Sequence, residues 1–238
     1  MTARRASETR AIEEVLRRGA GHERKHGDSG ATVLDRNDPA ARATRAASSR
    51  AAADAARRLS RRVAAEGLAD VSYAPADSPF GTLTLAATRR GLVRVAFPEE
   101  DVDSVLEGLV RRISPRIVEA SAPLDSARRE LEEYFNGHRR SFELSLDWTL
   151  VGAFGRRVLR VTSEIPYGGV LSYGEVAADA GSPRGSRAAG NALGSNPIPI
   201  VIPCHRVLRS GGALGGYGGG VQRKRWLLEL EGALAPRP

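Results

Sequence analysis

The sequence predicts an α+β fold, in which a strand-rich segment is followed by a mainly helical one. Short runs of β-branched and apolar residues begin at Val71, and helical spacing of apolar residues dominates from Trp148. The 238 residues are also enough for one or two domains with a buried core. We therefore expect an Ala/Arg-rich basic extension over residues 1–68, a sheet domain over 69–150 and a helical domain over 151–238.

The composition excludes several classes of protein. With 41% hydrophobic and 27% charged residues the chain is ordinarily globular, and no run approaches the ~18 consecutive apolar residues of a membrane span. The arginine-rich start lacks the apolar core of a secretory signal, so we expect a cytoplasmic protein without membrane contact. Cys204 is the only cysteine, which excludes an internal disulfide and a multi-cysteine zinc site. Its thiol is either a buried apolar group or a nucleophile.

The net charge of +8 is spread unevenly along the chain. Residues 1–68 carry 15 Lys and Arg against 9 Asp and Glu, and residues 151–238 carry 11 against 5. Residues 69–150 are acidic, with 10 against 14. Basic segments beside an acidic one indicate that part of the molecule meets a polyanion such as nucleic acid. A scattered solvated surface is the alternative.

The basic extension contains helical patterns but little apolar surface. Residues 9–19 predict a short helix, and Asp38 can cap a second helix that begins at Pro39. His22 and His26 are four residues apart, but the flanking glycines favour a solvated loop, and we assign no metal site. The extension is therefore expected to be helical or partly disordered, because its large apolar residues after Pro39 are few: Leu59, Val63 and Leu68.

The sheet segment has the pattern of a hairpin followed by alternating helix and strand. Residues 82–87 and 92–97 flank a turn in which Gly91 can adopt positive φ. Val102, Leu106 and Leu109 lie on one face of a predicted helix. This helix spans residues 101–112. It is followed by a predicted strand over 116–119 and a predicted helix over 124–135.

The helical segment predicts three helices, over 152–164, 173–180 and 187–193. The last two are short and are separated by a glycine- and proline-containing turn over 181–185. These proportions are those of a helix-turn-helix, although spacing alone is a weak signal.

A stiff run of proline and β-branched residues ends at Cys204 and can hold that residue in a fixed place. A single cysteine after an apolar run is more often a buried core residue than a nucleophile. Two features favour the nucleophile: His205 and Arg206 follow directly and would favour a thiolate, and a glycine cluster over 211–220 would allow close approach of a planar ligand.

These residues closely resemble the methylated-DNA–protein-cysteine methyltransferases, which remove alkyl groups from guanine O6. The Pro203-Cys204-His205-Arg206-Val207 core matches the signature of that family. Six further residues fall at the offsets from the cysteine that the family pattern expects: Tyr173, Arg187, Asn196, Tyr217, Lys224 and Glu231. The resemblance covers residues 69–238 and implies a ribonuclease-H-like sheet domain followed by a winged-helix-like domain that carries the site.

The resemblance implies direct reversal of DNA damage by a single-turnover protein that needs no cofactor. Cys204 would accept the methyl or alkyl group from guanine O6, with thymine O4 as a further substrate. His205 would take the thiol proton through a bound water, and Glu231 would orient the imidazole. Asn196 would hold the active-site loop, and Tyr173 would donate a proton to the guanine ring as it leaves.

The resemblance also implies a monomer whose partner is damaged double-stranded DNA, and it implies how that DNA is bound. Arg187 would fill the space left by the flipped base, while Ala188 and Gly190 would let the helix approach the DNA backbone. The substrate pocket would comprise five residues: Leu193, Pro199, Val207, Tyr217 and Gly218. Gly218 stands where some family members have serine, which removes a hydroxyl and puts the tolerance for larger alkyl groups in doubt.

Less specific interpretations remain for single residues. Arg187 could only contact phosphate, Tyr173 could only pack in the core, and Glu231 could be a surface charge at a helix end. Lys224, with its neighbours Arg223 and Arg225, predicts a solvated or phosphate-facing patch.

Three other functions are alternatives for the whole chain. The main alternative is a non-catalytic alkyltransferase-like damage sensor, but those relatives lack the cysteine. A helix-turn-helix transcription regulator would need a separate effector domain. A cysteine peptidase would need a base histidine distant in sequence from its nucleophile.

Deleting residues 1–69 is expected to weaken binding to undamaged DNA, because exposed arginines near phosphates release counterions. The slope of log affinity against log salt should flatten by at least about one unit, while reaction with a free alkylated base is unchanged. Fluorescence anisotropy across a salt series checks this prediction. An identical slope for the full and shortened chains would contradict it.

Overall fold

The computed structural model describes residues 39–235, so the helix expected over 9–19 and the pair His22 and His26 lie outside the described residues. The chain divides into two compact units, Met1–Ser49 and Arg50–Pro238. The first is described only through the start of helix α1 (Pro39–Ala65), whose first residue is the predicted proline. Leu59 is 63% exposed, in line with the small apolar content of this segment.

The second unit begins with a four-stranded sheet that carries the predicted hairpin. Its strands are β1 (Val71–Ala76), β2 (Leu83–Thr88), β3 (Gly91–Ala96) and β4 (Ile117–Glu119), in the order β3-β2-β1-β4. The pairs β1–β2 and β2–β3 are antiparallel, and β4 runs parallel to β1. The α+β architecture expected from the sequence is confirmed, although no sequence pattern delimits strand β1.

Two helices cover the sheet, one on each face. Helix α2 (Val102–Arg112) is capped by Asp101 and packs Leu109 against Val71, Ala86 and Val93. Its first residue, Val102, is 42% exposed, so the apolar face expected for this helix begins only at its second turn. On the opposite face, helix α3 (Asp125–Phe135) follows a 3₁₀ turn over Ala122–Leu124 and buries Leu131 and Tyr134.

The helical part of the unit comprises four helices and a short parallel strand pair. The helices are α4 (Ala153–Ser163), α5 (Tyr173–Asp179), α6 (Ser186–Gly194) and α7 (Val221–Leu230). The first three match the predicted helices to within about one residue at each end. Strand β5 (Leu171–Ser172) pairs with β6 (Val207–Leu208), and 3₁₀ turns span Trp148–Leu150 and Cys204–Arg206.

The sheet and the helical part share one hydrophobic core. Aromatic rings pack between the two parts: the ring centroids of Phe80 and Trp226 of α7 are 5.0 Å apart, and those of Tyr134 and Tyr167 are 6.2 Å apart. A backbone hydrogen bond from the Val95 N–H to the carbonyl of Pro197 adds a polar contact at 2.8 Å. The sheet therefore holds the segment that leads to Cys204.

Residues 39–235 contain neither a candidate membrane-spanning helix nor a candidate metal-binding cluster. No helix in this range is both long and apolar enough to cross a bilayer. Within the same range, no group of three or more His, Cys, Asp or Glu side chains is placed to hold a metal ion.

Gly91→Ala is expected to lower the free energy of unfolding by at least about 2 kcal/mol. Gly91 has φ +131°, and an added Cβ would lie 2.1 Å from the carbonyl oxygen of Ser145, which accepts the Leu92 N–H. Urea denaturation measures the change. Gly108→Ala in α2 is the matched control: a Cβ there meets nothing within 4 Å, so helix propensity alone predicts a gain of up to about 1 kcal/mol. Equal effects of the two substitutions would contradict this account.

Candidate active site

A tight backbone turn presents Cys204. The Ile202 N–H donates to the Ile198 carbonyl at 2.9 Å, and Ile200 at its centre has φ +74° although its side chain is β-branched. Such a conformation costs about 1–3 kcal/mol and persists only where surrounding contacts impose it. Asn196 supplies two of these contacts, accepting from the Ile198 N–H at 3.0 Å and donating to the Ile202 carbonyl at 2.9 Å. The side chain of Asn196 thus ties together the two ends of the turn.

The same amide group touches the thiol of Cys204. Asn196 Nδ2 lies 3.2 Å from Cys204 Sγ, and Cys204 is only 6% exposed. Burial raises the pKa of the Cys204 thiol to about 11, although the Asn196 hydrogen bond and the charge of Lys224 act in the opposite direction. The expectation that His205 and Arg206 would favour a thiolate is wrong, because Arg206 turns away to a buried carboxylate. Cys204 is a neutral thiol at neutral pH and needs a base.

The buried carboxylate is Glu231, which follows helix α7 directly and is 6% exposed. Its Oε1 accepts from Tyr134 Oη (2.7 Å), Arg206 Nη2 (2.8 Å) and His205 Nε2 (3.0 Å), and its Oε2 accepts from Arg206 Nε (2.9 Å). Burial by itself raises the pKa of Glu231, but the hydrogen bonds of His205 and Arg206 outweigh it and bring the pKa to about 2. The interpretation of Glu231 as a surface charge at a helix end is therefore wrong.

The ionised carboxylate determines the tautomer of His205. A carboxylate only accepts hydrogen bonds, so the His205 Nε2 that faces it carries the proton and Nδ1 keeps its lone pair. Burial lowers the pKa of His205, which keeps the ring neutral at pH 7. Among residues 39–235, the buried Nδ1 has no hydrogen-bonding partner. His205 is thus a neutral imidazole with a basic nitrogen directly beside the cysteine in sequence.

Lys224 is buried, so the prediction that it belongs to a solvated or phosphate-facing patch is wrong. Its side chain enters the core, where Nζ donates to the Val207 carbonyl at 2.5 Å and to the Gly216 carbonyl at 3.3 Å. Burial lowers its pKa to about 8. Lys224 therefore connects strand β6 with the glycine-rich loop instead of facing solvent.

Two tyrosines complete the surroundings of the thiol. Tyr173 opens helix α5, and its hydroxyl donates to the Gly216 carbonyl at 3.3 Å. Burial first, and then the nearby Cys204, raise the pKa of Tyr173, so that it stays a proton donor. The ring of Tyr217 packs edge-on against His205 and Phe97, at centroid distances of 6.4 and 6.0 Å.

Two cavities meet at Cys204. The larger, of about 600 Å³, is lined by Tyr173, Arg187, Gly190, Leu193, Tyr217 and Gly218, among others. The smaller, of about 370 Å³, includes Asn196, Pro199 and again Tyr217 and Gly218, together with Arg94, Phe97 and Glu100 of the sheet. The thiol is thus reached from the helix-turn-helix on one side and from the sheet on the other.

Comparison with known proteins agrees with this geometry. Residues 153–233 match the family model described as "6-O-methylguanine DNA methyltransferase, DNA binding domain", and residues 71–148 match the "ribonuclease-like domain" of the same family. The chain belongs to the 6-O-methylguanine DNA methyltransferase family. Its α+β fold and the activity class expected from its signature are thereby confirmed at the level of the family.

Two similar proteins of this methyltransferase family come from bacteria. The methylated-DNA–protein-cysteine methyltransferase of Mycolicibacterium paratuberculosis is 41% identical over 167 residues, which are 70% of this chain and 95% of that protein. The inducible enzyme of Bacillus subtilis is 35% identical over 148 residues, covering 62% and 82%.

Solved structures of the methyltransferase family show the same fold. The crystal structure of Mycobacterium tuberculosis O6-methylguanine methyltransferase is 40% identical, with a TM-score of 0.58, and covers 71% of this chain and 96% of that one. A crystal structure of the M. tuberculosis protein in complex with DNA is 41% identical, with a TM-score of 0.57, and covers 67% and 92%.

Most site residues expected for a methyltransferase of this family come together around the thiol. Four do not line either cavity. His205 and Glu231 are buried and joined to each other by a hydrogen bond, Ala188 is exposed on α6, and Val207 is fully buried with its carbonyl bound to Lys224.

Sequence reasoning missed the contacts of Tyr134, Arg206 and Arg94 in this methyltransferase. Tyr134 lies 97 residues before Glu231, and no local pattern announces their hydrogen bond. The only available signal for Arg206 was its place in the signature, which does not reveal the direction of its side chain.

The raised pKa predicts how Cys204 of this methyltransferase reacts with iodoacetamide. Only the thiolate reacts, so the rate should keep rising above pH 9 and reach half its plateau near pH 11. Asn196→Asp replaces the donating amide with a carboxylate, which should raise the apparent pKa further and slow the reaction at each pH. Rates of carbamidomethylation, followed by mass spectrometry across a pH series, check both statements.

Asn136→Asp is the matched control for this measurement, because Asn136 is exposed at the end of α3 and distant in sequence from the turn. A rate plateau near pH 9 in the unaltered protein would contradict the neutral-thiol assignment.

Proposed function

We propose that this protein repairs DNA by transferring a methyl or larger alkyl group from guanine O6, and from thymine O4, to Cys204. The observation that carries the proposal is the buried thiol, which faces two cavities and has a neutral histidine held by an ionised glutamate as its neighbour. A neutral thiol with a pKa of about 11 attacks only when a base removes its proton. His205 is that base.

The reaction is an in-line displacement that needs no cofactor. The Cys204 Sγ–carbon bond forms as the carbon–O6 bond breaks, and the electron pair of the broken bond stays with guanine. The thiol proton passes through a bound water to His205 Nδ1, while Tyr173 protonates the departing base at a ring nitrogen. Glu231 stabilises the imidazolium that forms. The imidazolium then releases its extra proton to solvent, and the Tyr173 phenolate takes one proton from solvent. The products are an S-alkylcysteine and an unmodified guanine.

The target base enters the larger cavity after it leaves the DNA stack. Arg187 is exposed on α6 at the edge of this cavity and fills the space that the base vacates. Ala188 and Gly190 are small enough for the helix to approach the backbone in the minor groove. Leu193, Pro199, Tyr217 and Gly218 enclose base and alkyl group, while backbone groups of Cys204 and Gly218 read the guanine edge.

The thioether product has no leaving group that a weak base could expel, so each chain acts once. The partner is double-stranded DNA with an O6-alkylguanine, which a cytoplasmic monomer engages. The sheet domain over 69–150 supports the site, and the domain over 151–238 carries the chemistry.

Incubation with duplex DNA that carries isotope-labelled O6-methylguanine tests the proposal. The label should appear on Cys204 and saturate at about one per chain, because the nucleophile is consumed. Peptide mass mapping locates it. Cys204→Ser should abolish transfer yet keep binding to the damaged duplex, and turnover well beyond one equivalent would contradict the single-use mechanism.

Arg187→Ala should slow repair of duplex DNA far more than reaction with free O6-methylguanine, because only the duplex needs a filler for the stack. Single-turnover rates on the two substrates measure the difference. Arg184→Ala is the control, since Arg184 is exposed in the turn before α6 and does not line the cavity. Equal losses on both substrates would assign Arg187 to the fold or the pocket.

A further inference from the structure

The smaller cavity at Cys204 is far larger than a methyl group requires. Its volume is about 370 Å³, whereas a water molecule occupies about 30 Å³ of liquid. Its lining includes Cys204, Asn196 and Pro199 together with Arg94 and Glu100 of the sheet segment. The cavity therefore offers room for a longer alkyl group that extends from the thiol towards a charged pair.

The charged pair is held in place by backbone contacts on both sides. Arg94 Nη2 bonds to Glu100 Oε2, while Glu100 Oε1 accepts the Phe97 N–H at 2.9 Å. The neighbour of Arg94, Val95, donates its N–H to the carbonyl of Pro197 at 2.8 Å, next to Asn196. The Arg94 side chain is only 23% exposed and that of Glu100 is 37% exposed. The pair is thus fixed relative to the turn that presents the thiol.

Arg94 has donors to spare. A guanidinium carries five N–H groups, and among residues 39–235 its only hydrogen-bond acceptor is Glu100. Glu100, as a carboxylate, retains lone pairs beyond the two bonds described. The pair consequently presents a donor and an acceptor side by side at the cavity wall.

We propose that Arg94 and Glu100 form a subsite for the terminal hydroxyl of O6-hydroxyalkylguanine adducts. A hydroxyl donates one hydrogen bond and accepts others, so it can accept from Arg94 and donate to Glu100 at once. A carboxylate-ended group would be repelled by Glu100, and an apolar end would desolvate the ion pair without replacing its lost water contacts. This inference rests on the proposed alkyl transfer and specifies which substrates it favours.

The preferred chain length depends on the reach from the thiol to the pair. A third cavity, of about 490 Å³, shares Arg94, Glu100 and Ser195 with the smaller cavity at Cys204 and extends towards α2. The Arg94–Glu100 pair therefore lies where the smaller cavity and the third cavity meet. Substrates with O6 groups of increasing length probe its distance from the thiol. In each transfer the Sγ–carbon bond replaces the carbon–O6 bond, and the hydroxyl end of the group is unchanged.

Free guanines with paired O6 substituents of equal heavy-atom count test the subsite. The pairs are 2-hydroxyethyl with propyl, 3-hydroxypropyl with butyl, and 4-hydroxybutyl with pentyl. Single-turnover transfer to Cys204 is followed by intact mass, and the rate ratio of hydroxyalkyl to alkyl is compared between proteins. Intrinsic reactivity and any general loss of active protein cancel in this comparison.

For at least one chain length, Arg94→Met and Glu100→Gln should each lower the ratio by about fivefold, the worth of one hydrogen bond. Arg116→Gln and Glu107→Gln are the matched controls, because these residues lie in the same 69–150 segment and line none of the three cavities. Their ratios should equal that of the unaltered protein. Ratios that are the same in all five proteins, at every chain length, would overturn the subsite.

The methyl substrate separates this inference from the proposed function. Transfer of methyl with unchanged hydroxyalkyl-to-alkyl ratios would remove the subsite and leave the repair function standing. No transfer of methyl from free base or DNA would remove the proposed function itself, and the subsite with it. Because Glu100→Gln preserves size and shape, a failure of Arg94→Met to fold would still leave one variant that decides the question.

Discussion

The buried carboxylate of Glu231 is the interaction on which the rest of the site depends. It joins three parts of the chain that are distant in sequence: Tyr134 from α3, the His205–Arg206 turn, and the end of α7. A buried charge is costly unless it is paired and hydrogen-bonded. Here the carboxylate is paired with the guanidinium of Arg206 and also accepts from the Tyr134 hydroxyl, the His205 ring and the backbone N–H of Gly168. One of the contacts that stabilise the carboxylate, the hydrogen bond from His205 Nε2, also orients the imidazole ring. Stability and chemistry therefore draw on one set of hydrogen bonds.

This arrangement divides the protonation states among neighbouring groups. Glu231 stays ionised because Arg206 and His205 bind it, whereas burial keeps Cys204 and His205 neutral. A neutral thiol avoids the cost of burying a thiolate. The strained turn at Ile200 and the amide of Asn196 hold the sulfur in place.

The sheet contributes more than support. The bond between Val95 and Pro197 ties the edge strand β3 to the turn before the cysteine, and Phe97 packs against Tyr217 of the glycine-rich loop. An added Cβ at Gly219 would lie 2.6 Å from the Phe97 ring, so the loop can lie this close only with glycine there. Through these contacts Arg94, Phe97 and Glu100 of the acidic segment over 69–150 line the smaller cavity at Cys204.

The sequence by itself determined the α+β order, the hairpin at Gly91, the helices around the helix-turn-helix and the family signature around Cys204, because each depends on local spacing and residue type. Only the tertiary structure decided what long side chains reach. The sequence does not reveal that Arg206 binds Glu231 and not the thiol, or that Lys224 enters the core and not solvent. A long, flexible cationic side chain can reach many partners. Tyr134 and Arg94 carry no local signal at all. Their roles arise from the packing of the sheet against the helices, which brings together groups that no spacing along the chain relates.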